Sequence, residues 1–304
     1  MYRYERLLVP VGFEAPDPFV IRYAGLVSRM ACSKEVVFVH VSQDHDVPGW
    51  MRGRFPELAR TRKDSQAELE ALVDREFQGG PTPQVRYAVL DGVPLMEILR
   101  QVREQNSDLV LVGRKRDRQE AGNMAERLAR KAPCSVLVVP EGTQSKITSI
   151  VVGVDFSENA RDALDAVVAF ASAAETGTPR VYGLHIYSVP IGFYKTGKTY
   201  EEFAQIMKEH HRTQYDDFVA DVDLRGINLE PTFLLDNKPT NGIQRAAEVL
   251  GVDLVVTGAR GRGAGAAVLL GSVAERLIAT TSTPLLAVKK KGQGMSFLEA
   301  LLKI

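Results

Sequence analysis

The residues best suited to do chemistry lie in Thr257-Gly258-Ala259-Arg260-Gly261-Arg262-Gly263-Ala264-Gly265, running on to Gly271-Ser272, and in Asp155 of Val154-Asp155-Phe156-Ser157. Glycines let backbone N–H groups turn toward a ligand with no Cβ in the way. A helix beginning near Ser272 adds unpaired donors and partial positive charge, and Arg260 and Arg262 add fixed charge. Together these describe an anion site, above all one for phosphates. The bland alternative is a tight strand-to-helix turn. A carboxylate at Asp155 could accept hydrogen bonds from ribose hydroxyls or an adenine amine, or Asp155 and Ser157 could simply start the next helix. Two phosphate motifs are excluded. A Walker loop needs a lysine directly before Ser272, where Gly271 stands, and the dinucleotide fingerprint belongs after a first strand with different spacing.

The elements that must position these residues are written twice. Arg6-Leu7-Leu8-Val9-Pro10-Val11-Gly12 parallels Ser149-Ile150-Val151-Val152-Gly153-Val154-Asp155, and Val36–Val41 lies 145 residues before Val181–Ile186. Asp108–Gly113 precedes Asp253–Gly258 by the same offset, whereas Ala125-Glu126-Arg127-Leu128 precedes Ala274-Glu275-Arg276-Leu277 by 149. A unit of about 145 residues is thus duplicated, with its seam in the polar stretch Glu141–Lys146. The expected division is 1–142, 146–291 and a tail, 292–304. In the second copy, apolar β-branched runs at 148–154, 180–186, 229–235, 253–257 and 285–288 alternate with helical patterns over Glu158–Glu175, Tyr200–Asp223, Thr240–Leu250 and Val273–Thr280. Nearly all-apolar strands separated by helices predict a parallel sheet covered on both faces, an α/β fold with right-handed, doubly wound crossovers. Asp17-Pro18 reads as an N-cap followed by proline, and Ser272–Glu275 as a capping box. Ligands of such sheets sit at strand carboxyl ends where the winding reverses, which puts Asp155 and Gly258 in one crevice if strands one and four are neighbours.

Composition narrows the class. The 304 residues carry 38 Lys+Arg against 38 Asp+Glu, with 45% apolar and 25% charged residues, which argues against disorder, coiled coil and a generic polyanion or nucleic-acid binder. No run of 18 apolar residues offers a membrane span, and the N-terminus lacks a signal-peptide core. Cys32 and Cys134 are too few to staple the chain and fit a reducing cytoplasm, where both would be buried small residues.

The spacing Gly258, two residues, Gly261, nine residues, Gly271-Ser272 resembles the nucleotide signature of the universal stress protein (UspA) family, and the likeness extends over both copies. The resemblance implies two tandem five-stranded Rossmann-like domains of strand order 3-2-1-4-5, paired through their last strands as an intramolecular pseudo-dimer. It implies a cytoplasmic, ATP-binding stress-response protein, with ATP, ADP or AMP as nucleotide and Mg²⁺ alongside. Asp155 corresponds to the family's strand-one aspartate. By the same analogy Ile186 and Thr257 line the adenine pocket, the N–H of Val273 joins the phosphate donors, and Arg262 and Gly263 belong to the binding loop. The first copy departs from the pattern: Gly12 replaces the aspartate, Arg116 the second glycine and Asn123 the serine, in a loop about four residues shorter. One nucleotide site per chain is therefore expected, in the second copy.

No catalytic base accompanies the motif, so a regulatory binder is favoured over an enzyme. The alternatives are a slow ATPase or autophosphorylating enzyme using Ser272, and a nucleotide-free metabolite-binding scaffold. A protein partner, and a homodimer of the tandem chain, are both compatible with the sequence. His40 and His185 occupy equivalent ends of strand two and read as structural or crevice-lining repeats. The neighbours His210 and His211 diverge on a helix and cannot easily chelate one ion, and Asp44-His45-Asp46 is a weak metal candidate. The insertions Ser42–Pro56 and Ser188–Thr199 could be lids or surface loops. The tail Met295–Ile304 is a short amphipathic stretch suited to docking, or less well to a membrane surface.

Overall fold

Short runs of Val, Ile and Leu, too brief for helices and apolar on both faces, become strands that need covering from above and below. The computed structural model describes residues 4–42, 49–55, 62–81, 83–116, 123–174, 177–261 and 270–292. They divide into two compact units, one containing Ile147–Lys289, the other the residues before it together with Lys290–Gly292.

The first unit runs β1 (Arg6–Pro10), α1 (Asp17–Ala31), β2 (Glu35–Ser42), α2 (Gly49–Arg54), α3 (Arg62–Glu76), β3 (Gln84–Asp91), α4 (Pro94–Glu104), β4 (Leu109–Arg114), α5 (Met124–Lys131) and β5 (Ser135–Pro140). The second runs β6 (Ser149–Gly153), α6 (Glu158–Ser172), β7 (Arg180–Tyr187), α7 (Tyr200–Ala220), β8 (Leu229–Leu235), α8 (Pro239–Leu250), β9 (Leu254–Gly258), α9 (Ser272–Thr280) and β10 (Leu285–Val288). Within the first unit the strands lie in the order β3-β2-β1-β4-β5, and within the second β8-β7-β6-β9-β10. Their neighbours pair in parallel, for example Leu8 with Val37 and Val151 with Tyr182. Both units therefore show the doubly wound parallel sheet expected from the alternation of strands and helices, in the 3-2-1-4-5 order that the family resemblance implies.

The central strands carry the core. Leu7, Leu8, Val36, Val110, Ile150, Val151 and Val256 are wholly buried, each such side chain contributing roughly 1.5–3 kcal/mol. The edge strand β8 is more open and carries Pro231, which an edge tolerates because no ladder donor is needed there.

Helix starts correct two readings. Asp17 is the first residue of α1 and not its cap, which is Pro16; its carboxylate turns back to accept the N–H groups of Gly12 and Glu14 at 3.0 and 2.8 Å. Ser272 likewise sits inside α9, whose cap is Gly271 with no side-chain hydrogen bond. The reciprocal capping box belongs instead to Thr199 and Glu202 at α7. Cys32 is a third correction: it is exposed and ends α1 in the left-handed region at φ 47°, and only Cys134 is buried. Among the described residues no helix is long and apolar enough to cross a membrane. Asp44-His45-Asp46 and the tail Met295–Ile304 lie outside the described residues.

Candidate nucleotide crevice

Strand β6 pairs with β9 only through Ile150–Val152, opposite Leu254–Val256. On its other side it stays with β7 to Gly153. Beyond that point a cavity of about 660 Å³ opens at the carboxyl ends, bordered by residues that follow both β6 and β9. This is the switch point where open α/β sheets place their ligands, and the volume lies in the range of small-molecule sites.

Asp155 stands on the turn between β6 and α6. Its Oδ1 accepts from the Ser157 hydroxyl at 2.6 Å and the Ser157 N–H at 3.1 Å, and the Ser157 Oγ in turn caps α6 by accepting from the Ala160 N–H at 3.2 Å. One carboxylate oxygen thus does start the helix. The other faces the glycine loop: a Cβ placed on Gly261 would lie 2.6 Å from Oδ2. Gly258 is constrained still more tightly, because a Cβ there would meet the Asn159 backbone oxygen at 2.7 Å. These two glycines exist for close approach.

The loop closes where the Gly271 N–H donates to the Ala259 carbonyl at 2.8 Å, which sets the start of α9. The first intrahelical bond runs from the Glu275 N–H to the Gly271 carbonyl at 2.9 Å. The N–H groups of Ser272, Val273 and Ala274 therefore have no acceptor within the helix, and all three residues line the cavity. Ser272 spends no hydroxyl on capping. Thr257 adds a buried Oγ1 with no hydrogen-bond partner among the described residues.

The expected site residues Asp155, Ile186, Thr257, Gly258, Gly261, Gly271, Ser272 and Val273 all border this one cavity. Arg262 and Gly263 lie outside the described residues. Sequence reasoning missed the apolar wall of Leu184, Pro239, Ile243 and Leu270, and it took Glu275 for a capping residue although that residue borders the cavity. The helical period of α8 was visible, but nothing in it says that its first turn closes over β7. No residue of Ser188–Thr199 borders the cavity. That segment is a surface loop pinned to α7 through Phe193, whose ring lies 5.5 Å from Tyr200, while Ile191 stands almost fully exposed.

The equivalent place in the first unit is built differently. Arg114, buried, stands where the second copy has Ala259, and burial holds its guanidinium below the usual arginine range. Lys115 pairs with Glu14 at 2.9 Å. Asn123 caps α5 by accepting from the Glu126 N–H at 2.9 Å. The Asp17 carboxylate, turned onto the N–H of Gly12, is pushed up to about 6 by burial.

A sheet of this order, with a cavity at its switch point, places the chain in the doubly wound α/β class. Comparison narrows the class: the universal stress protein family profile matches residues 3–140 and again 146–289, and the chain belongs to that family as a tandem member. A universal stress protein of Thermus aquaticus is 31% identical over 141 residues, 46% of this chain and 98% of that protein. One of Methanocaldococcus jannaschii is 29% identical over 152 residues, 45% of this chain and 91% of its own. Among solved structures, a universal stress protein from Archaeoglobus fulgidus is similar in fold over 95% of this chain and 99% of that chain, at a TM-score of 0.64 and 16% identity.

Proposed function

We propose that the second unit binds one adenine nucleotide in this crevice, and that the protein is a nucleotide-responsive regulator of the stress response in the cytoplasm. The observation that carries the reading is the convergence, in one cavity, of the Asp155 carboxylate, the backbone of Gly258–Gly261 and the three acceptor-free N–H groups that begin α9. The carboxylate suits ribose hydroxyls, the helix start suits phosphates, and the wall of Leu184, Ile186, Pro239 and Ile243 suits the base. The unpartnered Thr257 hydroxyl is available to the base edge. ATP is the favoured ligand, with ADP and AMP as lesser phosphate forms of the same fit. Mg²⁺ takes oxygen ligands, and among the described residues Ser272 and Glu275, both of which border the cavity, are residues whose side-chain oxygens could hold it. Bound there, the ion would neutralise phosphate charge.

Among the described residues, Asp155 and Glu275 are the acidic residues that border the cavity, and the Asp155 carboxylate is already engaged with Ser157. Efficient phosphoryl transfer needs an oriented base as well as charge stabilisation, so binding is favoured over turnover. Equilibrium binding of labelled ATP, ADP and AMP tests the reading. It expects saturable binding that is strongly weakened in Asp155→Ala and Gly261→Glu; undiminished binding in both variants overturns it.

A further inference from the structure

We infer that His185 is a positioning residue: one imidazole grips the chain on both sides of Asp155 and holds that carboxylate against the glycine loop. The inference rests on the proposed nucleotide site, and adds the device that keeps its acid in place. His185 is 5% exposed and points from β7 toward the β6–α6 turn. Its Nδ1 lies 2.7 Å from the Val154 carbonyl oxygen, the residue before Asp155, and a carbonyl can only accept, so Nδ1 carries the proton. Val154 is fixed from its other end too, since its N–H donates to the Leu184 carbonyl at 2.8 Å. The residue after Asp155 is Phe156, held at φ 62°. A bulky side chain rarely adopts that backbone and needs surrounding structure to keep it there. Its ring stacks on His185 with centroids 4.4 Å apart and an angle of 27°. Asp155 is thereby bracketed by a hydrogen bond on one side and a ring stack on the other, both to the same imidazole. From α7, His211 backs that imidazole at 4.6 Å, and its own Nδ1 meets Gln214 at 3.1 Å.

The first unit repeats the device around a residue with no carboxylate. His40 Nδ1 lies 2.9 Å from the Val11 carbonyl, Phe13 is held at φ 58°, and its ring lies 4.4 Å from His40. The residue bracketed there is Gly12. The turn is thus common to both copies, and only the second uses it to aim an acid. This supplies an internal control that separates positioning from stability.

Three variants of the full chain decide it: His185→Phe keeps a ring on Phe156 but removes the N–H, His185→Asn keeps an N–H near the Nδ1 position, and His40→Phe repeats the first change where no carboxylate depends on it. Labelled ATP is the probe, with thermal unfolding measured in parallel without ligand. His185→Phe is expected to weaken ATP binding roughly tenfold, as loss of an outer support does at other built sites. His185→Asn is expected to recover most of that loss, and His40→Phe to lower the unfolding temperature with unchanged affinity. Equal affinities in wild type and His185→Phe, or a matching loss in His40→Phe, overturn the inference. If wild type itself binds no ATP, the nucleotide reading fails, and a crystal structure of His185→Phe still decides the positioning. The carboxylate of Asp155 withdrawn from Gly261 supports it, and an unmoved carboxylate overturns it.

Discussion

Gly261→Ala is a small change whose effect can be worked out from the contact it breaks. The added Cβ would lie 2.6 Å from Asp155 Oδ2, whereas ordinary contacts to a Cβ begin near 3.4 Å, so the carboxylate or the loop must shift by about 0.8 Å. The carboxylate cannot swing freely, because its Oδ1 holds two hydrogen bonds from Ser157. Losing or stretching a hydrogen bond to a charged group costs about 1.5–3 kcal/mol, which corresponds to roughly a ten- to hundredfold loss of affinity for a ligand that needs Asp155 in place. Folding stability should fall by less than this, about 0.5–2.5 kcal/mol, because alanine restricts the unfolded chain and offsets about 0.4–1 kcal/mol of the strain. The assay is a double-mutant cycle by calorimetry with Asp155→Gly, which gives the second copy the residue found at Gly12. If the two groups act through one contact, Gly261→Ala has almost no further effect on ATP affinity once Asp155 is gone. Additive losses would refute the argument, since the glycine would then serve the ligand independently of the carboxylate.

Other consequences are as direct. Asp17 has a folded-state pKa of about 6 against a reference value of 3.8, a difference worth about 3 kcal/mol as an upper bound. Above pH 6 the carboxyl is ionised in both states and burial penalises the folded one; between about pH 6 and 4 the folded state takes up a proton the unfolded state does not, so the stability contribution of Asp17 rises as pH falls. Asp17→Asn should therefore stabilise the first unit at pH 8 by about 1–3 kcal/mol and much less at pH 4.5, as read by urea unfolding at the two values. Gly258→Ala should destabilise the second unit by about 1–3 kcal/mol, because its Cβ meets the Asn159 backbone, which cannot rotate away, and a calorimetric melt reads this. Thr257→Val removes a buried hydroxyl that has no partner among the described residues, so the unliganded protein should be no less stable while ATP affinity falls about tenfold in a titration.

The repeat, the alternation of strands and helices, and the carboxyl ends that carry Asp155 and Gly258 were legible because each follows from local pattern: apolar runs, glycine spacing and an acid ending a strand. The missed features depend on where chains meet. Ser272–Glu275 has the letters of a capping box, yet the bond from the Gly271 N–H to the Ala259 carbonyl starts the helix one residue earlier and leaves the serine uncapped. Pro239 and Ile243 carry no chemical signature, and they border the cavity because the first turn of α8 lies over Ile186: a Cβ on Gly242 would meet the Ile186 side chain at 2.8 Å. His40 and His185 were visible as a repeated pair, but their roles needed the positive φ of Phe13 and Phe156, a conformation that sequence disfavours and tertiary structure imposes.

The central claim is that the duplicated fold keeps one working nucleotide crevice, built around Asp155. Calorimetric titration of ATP with Mg²⁺ into the wild-type chain, Asp155→Ala and Asp17→Ala tests it most directly. One nucleotide per chain is predicted, bound much more weakly by Asp155→Ala and with unchanged affinity by Asp17→Ala. Two equivalent sites per chain, or one site that survives Asp155→Ala unweakened, would contradict it.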